Sequence, residues 1–289
     1  MMILDAVIQG MLLGGQYALF AAGLSLMFGV MRLVNLAHGD FAVMAAYGTL
    51  IVINAFAVSP VIAVLVVAPV VAVLGYVLQR FLLQKTLTES PLPSLLVTFG
   101  LSIIIQNVLL MTMSADQRRM TLGAVDTASL TLPGDIRIGV FPLTVFLFAV
   151  VVMAALSWTI AQTHYGRLVR AVSDDPATVE LSGVAPHRVY ATAAAIAFGL
   201  VAVAGTASGI QTSFSPMSGS MLLIFAFEAV IIGGLGSLWG TLAGAMILGV
   251  AQTIGASFAP AHQILAGHLV FLLFLAFLPR GLTRKAGTV

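Results

Sequence analysis

The sequence contains no cysteine and almost no charge. The first absence excludes a disulfide scaffold, a thiolate metal site and cysteine catalysis. The second is more informative. Charged residues make up 8% of the 289 residues, against roughly 25% in soluble domains. A water-soluble fold of this length lacks the charge to cover its surface, so most of that surface faces hydrocarbon. A net charge of +2 gives no footing for nucleic acid. Lysine is scarce too: Lys85 and Lys285 are the only two, and neither sits in a G-x-x-x-x-G-K-S/T phosphate loop. No Ser–His–Asp order or G-x-S-x-G elbow stands out. The chain is therefore assigned no catalytic residue and no cofactor, and any ATP that drives it must be bound by another chain. His38 has only Asp40 at ligand spacing, which leaves no metal site. The N-terminus lacks a basic n-region and its first apolar stretch outruns an h-region, so no cleavable leader is expected.

What is present is hydrophobic sequence, 60% of the total. A spanning helix needs about 20 mostly apolar residues. Such stretches occur at about 6–31, 36–57, 60–80, 93–113, 140–162, 190–210 and 263–279. Between the last two lies 222–255, interrupted by Gly233-Gly234-Leu235-Gly236. It reads as two shorter helices, about 222–232 and 238–255, either two spans or a re-entrant hairpin. The fold class is an all-α polytopic integral membrane protein, one transmembrane domain over 1–289. It has about eight spans, within a range of seven to nine. Broken helices are expected near 32–40 and 222–255. Arg80 and Lys85, then Arg167, Arg170 and Arg188, then Arg280, Arg284 and Lys285 form three basic groups, which the loop-charge bias puts in the cytoplasm. The segment 114–139 then lies outside. Its Thr-rich alternation around Pro133-Gly134-Asp135 predicts a short hairpin. Small-xxx-small pairs at Gly10 and Gly14, at Gly205 and Gly209, and in Gly236, Gly240 and Gly244 predict close helix crossings.

Three features carry candidate function. Asn35-Leu36-Ala37-His38-Gly39-Asp40-Phe41 lies between two apolar stretches, with Arg32 just upstream. Ionisable groups at membrane depth face a cavity or a partner, and broken helices line transport sites. A short cytoplasmic turn capped by Asn35 is the other reading. The inner segment 163–189 holds Arg167, Arg170, Asp174, Asp175, Glu180 and Gly183. Asp175 before Pro176 predicts a helix start and Gly183 a stop, giving a helix of about two turns with Val179 and Leu181 as its apolar contacts. It is either a solvated connector or a docking element. Glu228, inside Ile224–Ile232, is an intramembrane carboxylate. It serves a proton, a cation or a polar substrate, or bonds to backbone N–H groups near Gly233 and Gly234.

These residues also carry a resemblance. Gly23-Leu24-Ser25-Leu26-Met27-Phe28-Gly29-Val30 and Asn35–Phe41, the loop Gly166-Arg167-Leu168-Val169-Arg170-Ala171 with Gly183, Ala204-Gly205, Gly233–Ser237 and Leu278-Pro279-Arg280-Gly281-Leu282 resemble, in that order, permeases of branched-chain amino acid ABC importers of the LivH type. The resemblance covers nearly the whole chain. It implies a multi-pass protein of the bacterial inner membrane, surrounded by lipid. It also implies a second permease of the LivM type, two cytoplasmic ATPase subunits that bind the ATP, and an extracytoplasmic binding protein that delivers a small-molecule substrate. In that frame 163–189 is the ATPase-coupling segment, and 114–139 with Ser213–Met217 is the docking surface for the binding protein. Asn35, His38, Gly39, Asp40 and Glu228 are candidates for the translocation path or gate. The connector 54–60 is a departure, too short and apolar to hold a binding protein. Permeases for urea or short amides share nearly the same pattern. From a different class, a stand-alone ion-coupled transporter or channel makes Asp40 and Glu228 its coupling carboxylates.

Overall fold

A computed structural model describes residues 2–88, 90–132 and 136–283. In order, the helices are α1 (Met2–Met31), α2 (His38–Phe56), α3 (Pro60–Phe81), α4 (Leu92–Met113), a short α5 (Ala124–Thr127), α6 (Val140–Gln162), α7 (His164–Asp174), α8 (Pro176–Leu181), α9 (Pro186–Gln211), α10 (Gly219–Gly233), α11 (Leu238–Phe258) and α12 (His262–Phe277). Seven of them, α1, α2, α3, α4, α6, α9 and α11, are long and apolar enough to cross a membrane. Seven is the lower end of the expected range; α10 and α12 are apolar but shorter. At about 1.5 Å per residue α10 is only ~22 Å long, less than the hydrocarbon core of roughly 30 Å.

The core is built on α1 and α9. The first packs against α11, α9, α6 and α10, and the second against α3, α2 and α1. Side chains between them are small: Ala18, Ala21, Ala22, Ala193, Ala194 and Ala197 are fully buried. Without a hydrophobic drive between helices in lipid, close backbone approach supplies the packing. The α1–α11 crossing shows how close: a methyl group added at Gly249 would run into the backbone of Gly10 and Gly14. The helices α3, α4, α6 and α12 form the rim, with Leu65, Val70, Leu96, Ile104, Val151 and Leu272 exposed to the surroundings.

The first expected break is real and lies inside the bundle. Residues Leu33, Asn35 and Ala37 between α1 and α2 are essentially inaccessible. His38, the first residue of α2, bonds through Nε2 to the carbonyl of Phe20 at 3.1 Å. Phe20 sits about 16 Å along α1 from its end at Met31, at 1.5 Å per residue. The chain therefore turns back against the bundle before α2 begins, with Arg32 exposed and Asn35 buried in the same turn. The second break, Gly234–Ser237, needs its glycines: Gly234 and Gly236 have φ of 101° and 79°, where a β-carbon is strained. It gives α10 and α11, close to the expected limits. The C-terminal run covers it, with Leu282 N–H donating to the Ile232 carbonyl at 2.9 Å and Thr283 N–H to that of Gly233 at 3.1 Å. The basic residues Arg284 and Lys285 lie outside the described residues.

On the opposite side the expected hairpin forms. β1 (Ser129–Leu132) pairs antiparallel with β2 (Ile136–Gly139), Ser129 opposite Gly139. Its turn, Pro133-Gly134-Asp135, lies outside the described residues. The 114–120 run also bridges to the loop before α10. Arg118 and Phe214 exchange two backbone bonds of 2.8 Å, and the Ser213 hydroxyl reaches the Gln117 side chain at 3.1 Å. The two outer segments singled out in the sequence thus make one continuous surface.

Candidate functional site

Among the described residues, His38, Asp40 and Glu228, buried within the bundle, fall into two clusters. The first grows from the α1–α2 break. Asn35 turns the chain, its Oδ1 accepting the Ala37 N–H at 3.0 Å, so it acts as a local cap even though it is buried. Its Nδ2 is buried without a partner. Gly39 and Gly219 bring the starts of α2 and α10 into backbone contact; a methyl group at Gly39 would overlap the Gly219 carbonyl. Asp40 emerges from this pinch, 1% exposed. Its Oδ1 accepts from Gln106 Nε2 of α4 at 2.9 Å. The same Gln106 amide lies 3.3 Å from Ser102 and 3.3 Å from Ser220. Among the described residues Asp40 has no ion pair. A carboxylate is thus held between three helices by neutral donors alone.

The second cluster lies two turns further along α10. Glu228 is paired with His268 Nδ1 of α12, while its Oε2 is buried without a partner. Beside it Tyr17 of α1 donates to Gln252 Oε1 of α11 at 2.6 Å, and the Tyr17 and Phe225 rings stack at 5.0 Å. The partner of Glu228 is therefore a side chain from the far end of the sequence; the bonds to backbone near Gly233 and Gly234 are not made. Ser220 and Glu228 are eight residues apart on α10, or about 12 Å, so Asp40 and Glu228 do not share one site. Tyr17, Gln106, Gln252 and His268 are missed by sequence reasoning. A single polar residue in an apolar helix shows its depth but not which of its neighbours it meets.

The inner segment is two helices, where one was expected. The unforeseen α7 buries Gly166, Val169 and Val172 and is moored by the Ser173 hydroxyl to the Gly29 carbonyl of α1 at 2.9 Å. The Tyr165 hydroxyl shares a bond of 2.8 Å with Thr192 of α9, and burial pushes that phenol up from its ordinary range. Arg170 donates to the Ile160 carbonyl; Arg167 and Asp174 are exposed. Asp175 caps α8 as expected, accepting the N–H groups of Ala177 and Thr178 at 3.1 Å each. Those bonds and the Thr178 hydroxyl hold its carboxyl below the usual range. The cap is complete above the ordinary carboxylate range and is lost as pH falls through the lowered value. Glu180 is exposed, and so is Leu181 at 89%; Leu181 makes no apolar contact to hold α8 down.

Gly183 ends this helix at φ 81° with open space around it. Gly183→Ala is expected to cost the segment about 1–2 kcal/mol, from the left-handed backbone alone. Gly183→Asn is expected to cost less. Hydrogen exchange across 176–186 reads the difference.

The sequence profile of one family, described as the permease component of the branched-chain amino acid transport system, matches residues 6–278. The chain belongs to that family. This branched-chain permease family member is 27% identical over 299 residues to the high-affinity branched-chain amino acid transport system permease protein BraD of Pseudomonas aeruginosa, covering 96% of this chain and 95% of the relative. Against the permease protein LivH of Escherichia coli K12 the identity is 25% over 294 residues, covering 96% and 94%. A shorter match of 32% over 168 residues, 55% of this chain and 47% of the relative, joins it to the fructose import permease protein FrcC of Rhizobium meliloti. No solved structure matches the chain. As a permease of this family the protein is a transport component and a multi-pass protein of the bacterial inner membrane, working with the other components of an ABC importer.

Proposed function

We propose that this permease forms half of a path for branched-chain or similarly hydrophobic amino acids. In this reading a second permease supplies the other half, two cytoplasmic ATPase subunits bind and hydrolyse the ATP, and an extracytoplasmic binding protein loads the path. The substrate class rests on the two relatives aligned over nearly their full length, both named for branched-chain amino acids. The observation that carries it to a residue is Asp40, a membrane-buried carboxylate with hydrogen bonds but no cation. An amino acid brings an ammonium group that such a carboxylate attracts; a sugar such as fructose brings none. Asn35, His38 and Gly39 hold the break that aims Asp40, and Gln106 covers it until α4 and α10 part.

Movement reaches this point through packed helices. α7 touches both α1 and α9, and α9 presses on α2 at Ala42, where a methyl group at Gly205 would meet the Ala42 carbonyl. A push on 163–189 is thereby passed to the helix bearing Asp40. Asp40→Ala is expected to lower ATP-driven leucine uptake by the reconstituted importer about tenfold or more, the equivalent of ~1.4 kcal/mol of lost attraction. Basal ATP hydrolysis is expected to stay within twofold of wild type. Uptake at the wild-type rate in this variant sinks the assignment of Asp40.

A further inference from the structure

The outer surface of the bundle is not uniform at mid-depth. On α3, residues 61–73 carry no polar side chain, and on α6 residues 145–156 carry none. Their outward side chains, Leu65 and Val70 on one helix and Leu147 and Val151 on the other, are exposed and apolar, as hydrocarbon requires. A different face is centred on α10. Ser220, Ile224 and Ile231 recur there at four- and seven-residue spacing, which is one stripe of a helix. Ser220 and Ile224 are exposed and Ile231 is half-buried. Gly219, against Asp40, and Glu228, against His268, fall on the two flanks of this stripe at about 3.6 residues per turn. The helix α4 therefore borders it on one side, through Gln106, and α12 on the other, through His268.

This face carries polar groups outward. The His268 side chain is 37% exposed. Its Nδ1 is spent on Glu228, and its Nε2 has no hydrogen bond among the described residues. The Phe225 ring lies 5.0 Å from Tyr17 and 6.3 Å from His268, which sets His268 level with the middle of α1. Gln106 Nε2 reaches both the exposed Ser220 hydroxyl at 3.3 Å and the buried Asp40 carboxylate at 2.9 Å, so the Asp40 cluster borders the same face. Lipid tails offer no donor or acceptor, and polar groups at this depth face protein or a water-filled cavity. Left against lipid, the Asp40 cluster would open to hydrocarbon. Closed by another transmembrane subunit, it becomes one wall of a lined path. We propose that the face made by α4, α10 and α12 is the seat of the second permease. The path then runs in the seam, and the partner presents a polar side chain to His268 Nε2. The α3 and α6 surfaces are left to lipid. This rests on the reading of the chain as half of a two-permease path.

The test is site-specific photo-cross-linking in membranes that hold the whole importer. Ile224 of α10 and Leu275 of α12 are exposed, so a photoreactive benzoylphenylalanine at either position leaves the packing of the chain intact. Each is expected to join this chain to the second permease. The same residue at Leu65 of α3 or Val151 of α6 is expected to give no protein adduct. As a second readout, Ile224→Trp adds bulk at the seam and is expected to lower the amount of second permease recovered with the tagged chain; Leu65→Trp is expected to leave it unchanged. Three results overturn the proposal: adducts with the second permease from Leu65 or Val151 and none from Ile224 or Leu275; lipid adducts alone at Ile224 and Leu275; or adducts joining two copies of this chain, which makes the partner a second copy. Cross-linking needs no transport. Wild-type uptake in Asp40→Ala therefore removes the path reading and leaves the cross-link map standing.

Discussion

Leu181→Asp is expected to lower substrate-stimulated ATP hydrolysis by the assembled importer at least tenfold, without changing the yield or thermal stability of the permease itself. A single exposed leucine is ordinary. What distinguishes this one is the element that presents it. The helix α8 buries none of its own residues, yet it is capped by Asp175 at its start and stopped by the left-handed Gly183. Its Val179 packs against the core, and together with the end signals this holds Leu181 outward at 89% exposure. Docked against an ATPase groove, a leucine contributes roughly 1.5–3 kcal/mol through burial. An aspartate forfeits that and adds a carboxylate to be desolvated. Two kcal/mol is already more than a factor of ten. The side chain touches nothing within the permease, so its folding is unaffected. Wild-type coupling in Leu181→Asp removes 163–189 from the account as the place where the ATPase pushes.

His268→Leu is expected to destabilise the permease by about 3–5 kcal/mol, because it strands Glu228 without its partner. The Glu228 side chain is 5% exposed, and one of its oxygens already lacks a bond. Beside it Tyr17 is engaged with Gln252 Oε1, while Gln252 Nε2 makes no hydrogen bond to Glu228. The double variant Glu228→Leu, His268→Leu is expected to recover most of the loss, since an apolar pair of similar volume restores packing without a stranded charge. Thermal unfolding in nanodiscs separates the cases. A double variant as unstable as His268→Leu alone points instead to a packing role for the imidazole.

The limits of the sequence reading follow from what a one-dimensional pattern encodes. Helix lengths were legible because hydrocarbon thickness and apolar run length are the same constraint: 140–162 and 60–80 read from composition become Val140–Gln162 and Pro60–Phe81. Start and stop chemistry was legible wherever it is local, as at Asp175-Pro176 and Gly183. The break at Asn35–Asp40 could be located but not given a depth. Whether Asn35 faces water or the bundle depends on Phe20 and Gly219, which are distant in sequence. For the same reason Gln106 and His268, the residues that meet the two intramembrane carboxylates, carried no mark. The helix α7 is amphipathic, with Gly166, Val169 and Val172 buried at three-residue spacing and Arg167, Arg170 and Asp174 exposed, but it is short and charged enough to read as a loop. Of the two residues read as apolar contacts of α8, Val179 packs against the core, while Leu181 points away from it at 89% exposure.

The central claim is that this permease moves its substrate only when a partner's ATP hydrolysis drives it. The most direct measurement is uptake of labelled leucine into proteoliposomes holding either the permease alone or the permease with its second permease, ATPases and binding protein. The account predicts ATP-dependent accumulation in the full assembly, and none by the permease alone under an imposed proton or sodium gradient. Gradient-driven accumulation by the permease alone would contradict it and would make Asp40 and Glu228 ion-coupling carboxylates.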